Sequence, residues 1–292
     1  MARNFLTGEE LSRDELAQVL ARARELKAGR PEEGRGALAG RSVALIFERP
    51  STRTRISFEV GVAELGGTPL VLRGDELQLT RGESIADTAR VLGRYLDAIA
   101  IRSGSHAAVV ELAEASDAPV VNALTPGHHP CQALADLMTL AERFGDLEGL
   151  RVAYVGDSNN VARSLAVLGG IAGVAVVVSS PSGYELDDMS GAELVSDPAE
   201  AVVGADAVYT DVWVSMGDEE DADARREALA PYQLNADLLA RAADRAVALH
   251  CLPAHPGEEI TEDVLYGERS AVWDQAENRL HAQKALLELL LS

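Results

Sequence analysis

Short runs of β-branched and aliphatic residues recur along the chain, and each is followed by a longer stretch whose apolar positions fall three and four apart. The first set comprises SVALIF (Ser42–Phe47), PLVLR (Pro69–Arg73), DAIAI (Asp97–Ile101) and PVVNA (Pro119–Ala123). The second comprises LRVAYVG (Leu150–Gly156), VAVVVSS (Val174–Ser180), DAVYT (Asp206–Thr210) and AVALH (Ala246–His250). Short apolar runs bounded by turn residues predict strands, and the helical spacing between them predicts crossovers. Each set therefore predicts a parallel sheet flanked by helices, and two sets in succession predict an α/β chain of two domains. We place the first domain at residues 1–128 and the second at 129–275. A periodic segment over Cys131–Phe144 is expected to join them as a helix. The tail AENRLHAQKALLELLLS has leucines at helical spacing and predicts a closing helix over 276–292 that returns to the first domain.

Composition narrows the partners. The chain has 292 residues, 47 acidic against 26 basic side chains and a net charge of −21, which argues against nucleic acid or an anionic membrane as a partner. An anionic substrate would need a local basic pocket. Lys27 and Lys284 are the only lysines, so nearly every cation is an arginine. Self-repulsion of this size is tolerable where salt screens it over ~3 Å, as at molar ionic strength, so adaptation to high salt is one reading. GC-rich coding is the other. No uninterrupted apolar run approaches the ~20 residues that span a bilayer, and MARNFLTGEE lacks a signal-peptide core, so a cytoplasmic location is expected. Cys131 and Cys251 are too few for a disulfide framework or a cysteine metal cluster, and both read as reduced thiols.

The unusual residues follow the strands, where ligands gather in open parallel sheets. FERPSTRTR follows SVALIF, Arg102 follows DAIAI, TPGHHPCQ follows PVVNA, GDSNN follows RVAYV, DVWVSMG follows DAVYT, and HCLPAH ends AVALH. In PSTRTR, Pro50 can fix the turn while Ser51, Thr52 and Thr54 offer hydroxyls and backbone N–H groups at a helix start. Arg53 adds a planar fork suited to phosphate oxygens. The competing reading is a capped helix with surface arginines. The nucleotide P-loop is excluded, because it needs a Gly-rich loop ending in GK[ST]. GDSNNVARS lacks the GxGxxG of a dinucleotide loop, and no further ligand falls at metal spacing from His128 and His129. Arg55 and Glu59, four apart, read as a helix-surface ion pair. The charge run GDEEDADARRE lies in a segment, 215–230, expected to be a mobile loop.

These motifs together resemble the aspartate and ornithine carbamoyltransferase family. FERPSTRTRISFEVG, QLTRGESIADTARVLGRY, HHPCQALAD, DVWVSMG and HCLPAH carry the resemblance over nearly the whole chain, and DVWVSMG with HCLPAH is the ornithine-type pair. The resemblance implies transfer of the carbamoyl group of carbamoyl phosphate to the δ-amine of L-ornithine, giving L-citrulline and phosphate, with neither metal nor organic cofactor. It implies that Ser51, Thr52, Arg53, Thr54 and Arg279 bind phosphate, and that Arg102 bridges phosphate and carbonyl. His129 would donate to the carbonyl oxygen, Gln132 would contact the carbamoyl group, and the backbone carbonyl of Leu252 would hold its amide. Asn160, Asp211, Ser215, Met216 and Cys251 would meet ornithine, with Arg102, His129, Asp211 and Cys251 catalytic. Taken alone, Cys251 reads as a packed small hydrophobe, and its family position is what brings it into the site. The family further implies a homotrimer, or a multiple of trimers, in which Gln78 of DELQLTRGES enters a neighbouring subunit's site. A transferase for another amino acid or diamine and a catalytically weak binding homologue are the rival readings.

Overall fold

A computed structural model describes residues 2–76, 82–186, 188–189, 191–214 and 219–292. The chain forms two compact units, Met1–Met138 with Glu277–Ser292, and Thr139–Ala276.

In the first unit, β1 (Ser42–Phe47), β2 (Thr68–Arg73), β3 (Ala98–Arg102) and β4 (Val120–Leu124) make a parallel sheet in the order β2-β1-β3-β4. The order explains the sequence pattern. Central β1 and β3 are apolar on both faces and buried along almost their whole length, whereas edge strand β2 is half-exposed and tolerates Pro69. Four helices accompany them: α1 (Arg13–Ala28), α2 (Thr52–Glu64), α3 (Ile85–Leu92) and α4 (His106–Ala115). Ala44, Ile46, Ile99 and Ile101 from the sheet pack with Ala89 of α3 and with Val109 and Leu112 of α4. Each large aliphatic side chain buried there contributes about 1.5–3 kcal/mol. Ser12 and Glu15 close a reciprocal capping box at the start of α1.

The next helix, α5, covers Pro130–Phe144 and the unit division falls inside it, ten residues beyond 128. It starts one residue earlier than the spacing predicts, because Pro130 suits a first helical position. In the second unit, β5 (Arg151–Val155), β6 (Ala175–Ser179), β7 (Glu193–Leu194), β8 (Ala207–Thr210) and β9 (Val247–His250) form a parallel sheet in the order β7-β6-β5-β8-β9. Helices α6 (Asn160–Ala172), α7 (Pro198–Ala201), α8 (Ala222–Leu229), α9 (Ala236–Leu239) and α10 (Glu262–Leu265) belong to this unit. Ala153, Val155, Val208, Ala248, Ile260 and Val272 lie in its core. Two elements differ from expectation. The edge strand β7 is too short to leave a sequence pattern. Residues 222–229, expected as part of a mobile loop, form α8, in which Asp223 and Arg226 pair one turn apart and Leu229 is buried.

The last helix, α11 (Val272–Leu291), crosses the division between Ala276 and Glu277, and its later part packs on helices of the first unit. Glu288 accepts from Arg22 of α1 at 2.6 Å. The ammonium of fully buried Lys284 lies 3.0 Å from Glu64 of α2, and Lys27 of α1 donates to Asn278 at 2.8 Å. Both lysines are thereby used to fasten α11. Gly61 permits the close approach of α2, since a Cβ there would stand 3.2 Å from Lys284 Cγ. Among the described residues no helix is long and apolar enough to cross a membrane.

Candidate active site

In the first unit the strand order brings the carboxyl ends of β1, β3 and β4 side by side. Phe47 pairs with Arg102, and the register of β3 on β4 slips by one residue so that Ile101 faces Asn122 while Arg102 faces Leu124. The chain leaves β1 through Glu48, Arg49 and Pro50 and enters α2 at Thr52. Ser51 occupies the N-cap position, yet its side chain makes no cap bond. Its hydroxyl instead accepts from Arg102 Nη1 at 2.9 Å. The first turn of α2 also carries no acidic residue. Uncapped N–H groups, the positive end of the helix dipole and a guanidinium across the gap favour an anion. Thr52 and Arg53 are exposed at this end, while Thr54 points inward and is 2% exposed.

One carboxylate absent from the expected set organises this loop. Glu48 Oε2 accepts from Ser103 Oγ at 2.7 Å and from Gly104 N at 2.8 Å, while the Glu48 N–H donates to Arg102 O at 3.1 Å. The backbone on either side of Arg102 is thus fastened to the end of β1.

A buried polar chain lies behind the anion end of α2. Arg279 of α11 donates through Nη2 to Thr54 Oγ1 at 2.7 Å and through Nη1 to Gln132 Oε1 at 2.6 Å. Gln132 Nε2 donates to Asp136 Oδ1 at 2.8 Å. All four side chains are at most 3% exposed, so the Arg279 charge is balanced by hydrogen bonds and by a buried carboxylate one residue beyond. His129 precedes α5, and its carbonyl accepts the N–H groups of Gln132 and Ala133. Burial, with the positive Arg279 and Arg102 beside it, holds the imidazole well below its ordinary pKa and hence neutral. A neutral ring keeps one N–H to donate to a carbonyl oxygen. Burial pushes the Cys131 thiol up to about 12, consistent with a packing role. Arg55 and Glu59 pair at 3.2 Å on the exposed face of α2. Gln78 lies outside the described residues.

In the second unit, the loops after β5, β8 and β9 converge. Gly156 follows β5 with φ 124°, a backbone conformation that favours glycine. Asn159 caps α6, accepting from Val161 N at 2.9 Å and Ala162 N at 3.4 Å. Its amide donates to Asp211 Oδ2 at 2.7 Å. The other Asp211 oxygen accepts from Cys251 Sγ at 2.9 Å. Asp211 is buried, at 6% exposure, and is positioned from both sides. In this geometry the Cys251 S–H is placed to donate to Asp211. Asn160 sits one residue further along, half-buried in the first turn of α6. Ser215 and Met216 lie outside the described residues.

The turn after β9 is held by two residues that sequence reasoning did not select. Leu252 N donates to His250 Nδ1 at 2.8 Å, and since a backbone N–H can only donate, Nδ1 is the unprotonated nitrogen. His250 Nε2 then carries the proton and donates to Glu259 Oε1 at 3.1 Å. Both side chains are fully enclosed, with His250 1% and Glu259 0% exposed. Leu252 adopts φ 60°, a costly conformation for a branched residue, and its side chain packs on the core. The His250 and core contacts stabilise that conformation and so fix where the Leu252 carbonyl points.

Comparison with known proteins identifies the family. Residues 3–142 match the family model for the aspartate/ornithine carbamoyltransferase carbamoyl-P binding domain, and residues 148–290 match the model for its Asp/Orn binding domain. The ornithine carbamoyltransferase of Acidothermus cellulolyticus is 54% identical, over 100% of this chain and 97% of its own. The solved ornithine carbamoyltransferase from Pyrococcus furiosus superposes with a TM-score of 0.93 at 48% identity, over 98% of this chain and 96% of that one. The enzyme of the same name from Thermus thermophilus gives 0.92 at 42% identity, with both chains fully covered. With both halves matched and full-length relatives at this identity, the chain belongs to the aspartate/ornithine carbamoyltransferase family.

Proposed function

We propose that the protein transfers the carbamoyl group of carbamoyl phosphate to the δ-amine of L-ornithine, releasing L-citrulline and phosphate. The observation that carries the reading is the Cys251–Asp211–Asn159 cluster, formed in a unit whose full-length relatives are named ornithine carbamoyltransferase. A buried carboxylate with a thiol on one oxygen suits an amine better than a second carboxylate, which would demand cations.

The residues divide the chemistry. Ser51, Thr52, Arg53 and Thr54 bind the phosphate at the start of α2, and Arg102 spans phosphate and carbonyl oxygen. Arg279 holds Thr54 and Gln132 in place and adds positive potential. Neutral His129 donates to the carbonyl oxygen, where negative charge grows as the tetrahedral intermediate forms. The Gln132 amide has two hydrogens, of which Asp136 accepts one and the carbamoyl group takes the other. The Leu252 carbonyl accepts from the carbamoyl NH₂. On the other side, Asp211, Cys251 and Asn160, with Ser215 and Met216, receive ornithine. Its δ-ammonium has an ordinary pKa near ~10.4 and must lose a proton before attack. The new C–N bond then forms, the bond from carbon to the bridging oxygen breaks, and phosphate leaves with the electron pair and takes up the second proton lost by the attacking nitrogen.

The same reading places the protein in the cytoplasm as a homotrimer or a multiple of trimers, with Gln78 supplied to a neighbouring subunit. It also assigns the acidic surface to high-salt conditions. Offering the purified protein carbamoyl phosphate with L-ornithine, L-aspartate and simple diamines tests the function. Citrulline formation with a kcat/KM for L-ornithine at least a hundredfold above the others is expected. A preference for aspartate or a diamine, or no turnover, overturns it.

A further inference from the structure

The turn beyond β9 holds a cluster that touches neither proposed substrate, although its Glu259 also buttresses the Leu252 turn through His250. His255, Glu258 and Glu259 present ligand atoms that all lie within 4.8 Å of one another. The backbone that carries them is fastened by hydrogen bonds. Gly257 N donates to Ile260 O at 2.8 Å, Glu258 N to His255 O at 2.9 Å and Leu234 N to Glu259 O at 2.8 Å, while Gln233 Nε2 donates to Glu258 O at 2.7 Å. Glu259 is 0% exposed. Its Oε1 is taken by His250 Nε2 at 3.1 Å and by the His255 N–H at 2.5 Å, but its Oε2 has no hydrogen-bond partner among the described residues. A buried carboxylate oxygen in that state is costly and calls for a cation.

The neighbouring geometry says which kind. His255 Nδ1 stands 3.6 Å from Glu259 Oε2, with the ring 51% exposed. Two ligands at bond lengths of 2.0–2.2 Å on a tetrahedral ion are about 3.3–3.6 Å apart, so this pair already has the separation of a metal edge. The Glu258 carboxylate completes the set. Its present partner is Arg226 at 3.1 Å, an exposed pair that costs little to exchange. One imidazole nitrogen with two carboxylates suits a borderline divalent ion, and three ligands are too few for calcium.

We infer that His255, Glu258 and Glu259 form a binding site for a divalent transition-metal ion of the zinc class, separate from the substrate residues His129, Asp211 and Cys251. A second group, Asp211, His250 and Cys251, also lies within coordinating distance, so the test must tell the two apart.

Zn²⁺ and Co²⁺ are titrated into the metal-free protein by calorimetry, with the melting temperature and the cobalt spectrum recorded. One ion per chain is expected, with a raised melting temperature and no sulfur-to-cobalt charge-transfer band. His255→Asn, at an exposed position, and Glu258→Gln, at a half-buried one, should fold normally by circular dichroism and weaken binding at least tenfold, whereas Cys251→Ser should bind as the parent does. Binding lost in Cys251→Ser and kept in His255→Asn would move the ion to the other group and overturn the inference, as would no binding up to millimolar metal.

Discussion

Asn159 joins a helix cap to the residue proposed to receive the ornithine amine, and substitution can separate the two roles. Replacing it with alanine removes the cap bonds to Val161 and Ala162 and the bond to Asp211. A lost cap costs about 1 kcal/mol and a lost bond to a charged partner about 1.5–3 kcal/mol, so Asn159→Ala should destabilise by about 2.5–4 kcal/mol. Asn159→Asp keeps an acceptor for the cap but sets a second carboxylate where the donor stood, 2.7 Å from Asp211 Oδ2. Like charges at that distance raise one carboxyl's pKa above its ordinary value of about 3.9. A raised folded-state pKa makes the native protein bind more protons than the unfolded chain. The deficit of Asn159→Asp against the parent should therefore be full at pH 7 and shrink as pH falls toward 4. Urea melts at several pH values measure this, and steady-state kinetics measure the functional part. If misplacing Asp211 loses the same about 3 kcal/mol in the transition state, kcat/KM for ornithine falls roughly a hundredfold. The dissociation constant for carbamoyl phosphate, whose phosphate residues belong to the other unit, should stay within about twofold of the parent. Unchanged ornithine kinetics in Asn159→Asp, or an equal loss of carbamoyl-phosphate affinity, would refute the reasoning.

Three further outcomes are expected. Burial and the nearby Lys284, Lys27 and Arg30 charges lower the His281 pKa from 6.5 to about 4, so the unfolded chain takes up a proton first. Stability present at pH 7 should be lost as pH falls from about 6.5 to 4, by about 3 kcal/mol at 1.36 kcal/mol per unit, and His281→Leu should flatten that slope in acid melts. Arg53→Lys keeps the charge but loses the planar fork, so carbamoyl-phosphate affinity should fall at least tenfold with the melting temperature unchanged, as binding and melting assays would read. With a net charge of −21 and both lysines committed to α11, melting temperature and activity should rise with KCl toward molar concentrations; full stability in dilute buffer that declines with salt would leave coding bias to explain the composition.

Much of this was legible in the chain because the signals are local. Strand runs such as SVALIF and LRVAYVG read clearly since central parallel strands are apolar on both faces, and the loops after them carry the motifs. Positions such as Ser51, Arg102 and Asp211 stand beside strand ends and could be named from residue type and place. What escaped is pairwise and distant. The bond from Asn159 to Asp211 spans 52 positions, and that of Glu48 to Gly104 spans 56, so only the fold brings them together. For Asn159 a cap position in the short loop between a strand and a helix was a usable signal. For Glu259 there was none, since a second glutamate in a polar turn looks like solvated surface. The helix α8 was hidden by its charges, which leave Leu229 as the buried residue and no apolar stripe. The unit division escaped for a different reason, because it falls inside a continuous helix that has no linker composition.

The proposed reaction is tested most directly by following the carbon itself. Carbamoyl phosphate labelled with ¹³C at the carbonyl is mixed with L-ornithine and the purified protein, and carbon and phosphorus NMR spectra are recorded together. The label should pass to the ureido carbon of citrulline, with one phosphate appearing for each citrulline, and Arg102→Ala should slow both signals equally. Release of phosphate with the label in bicarbonate, or transfer to aspartate in preference to ornithine, would contradict the account.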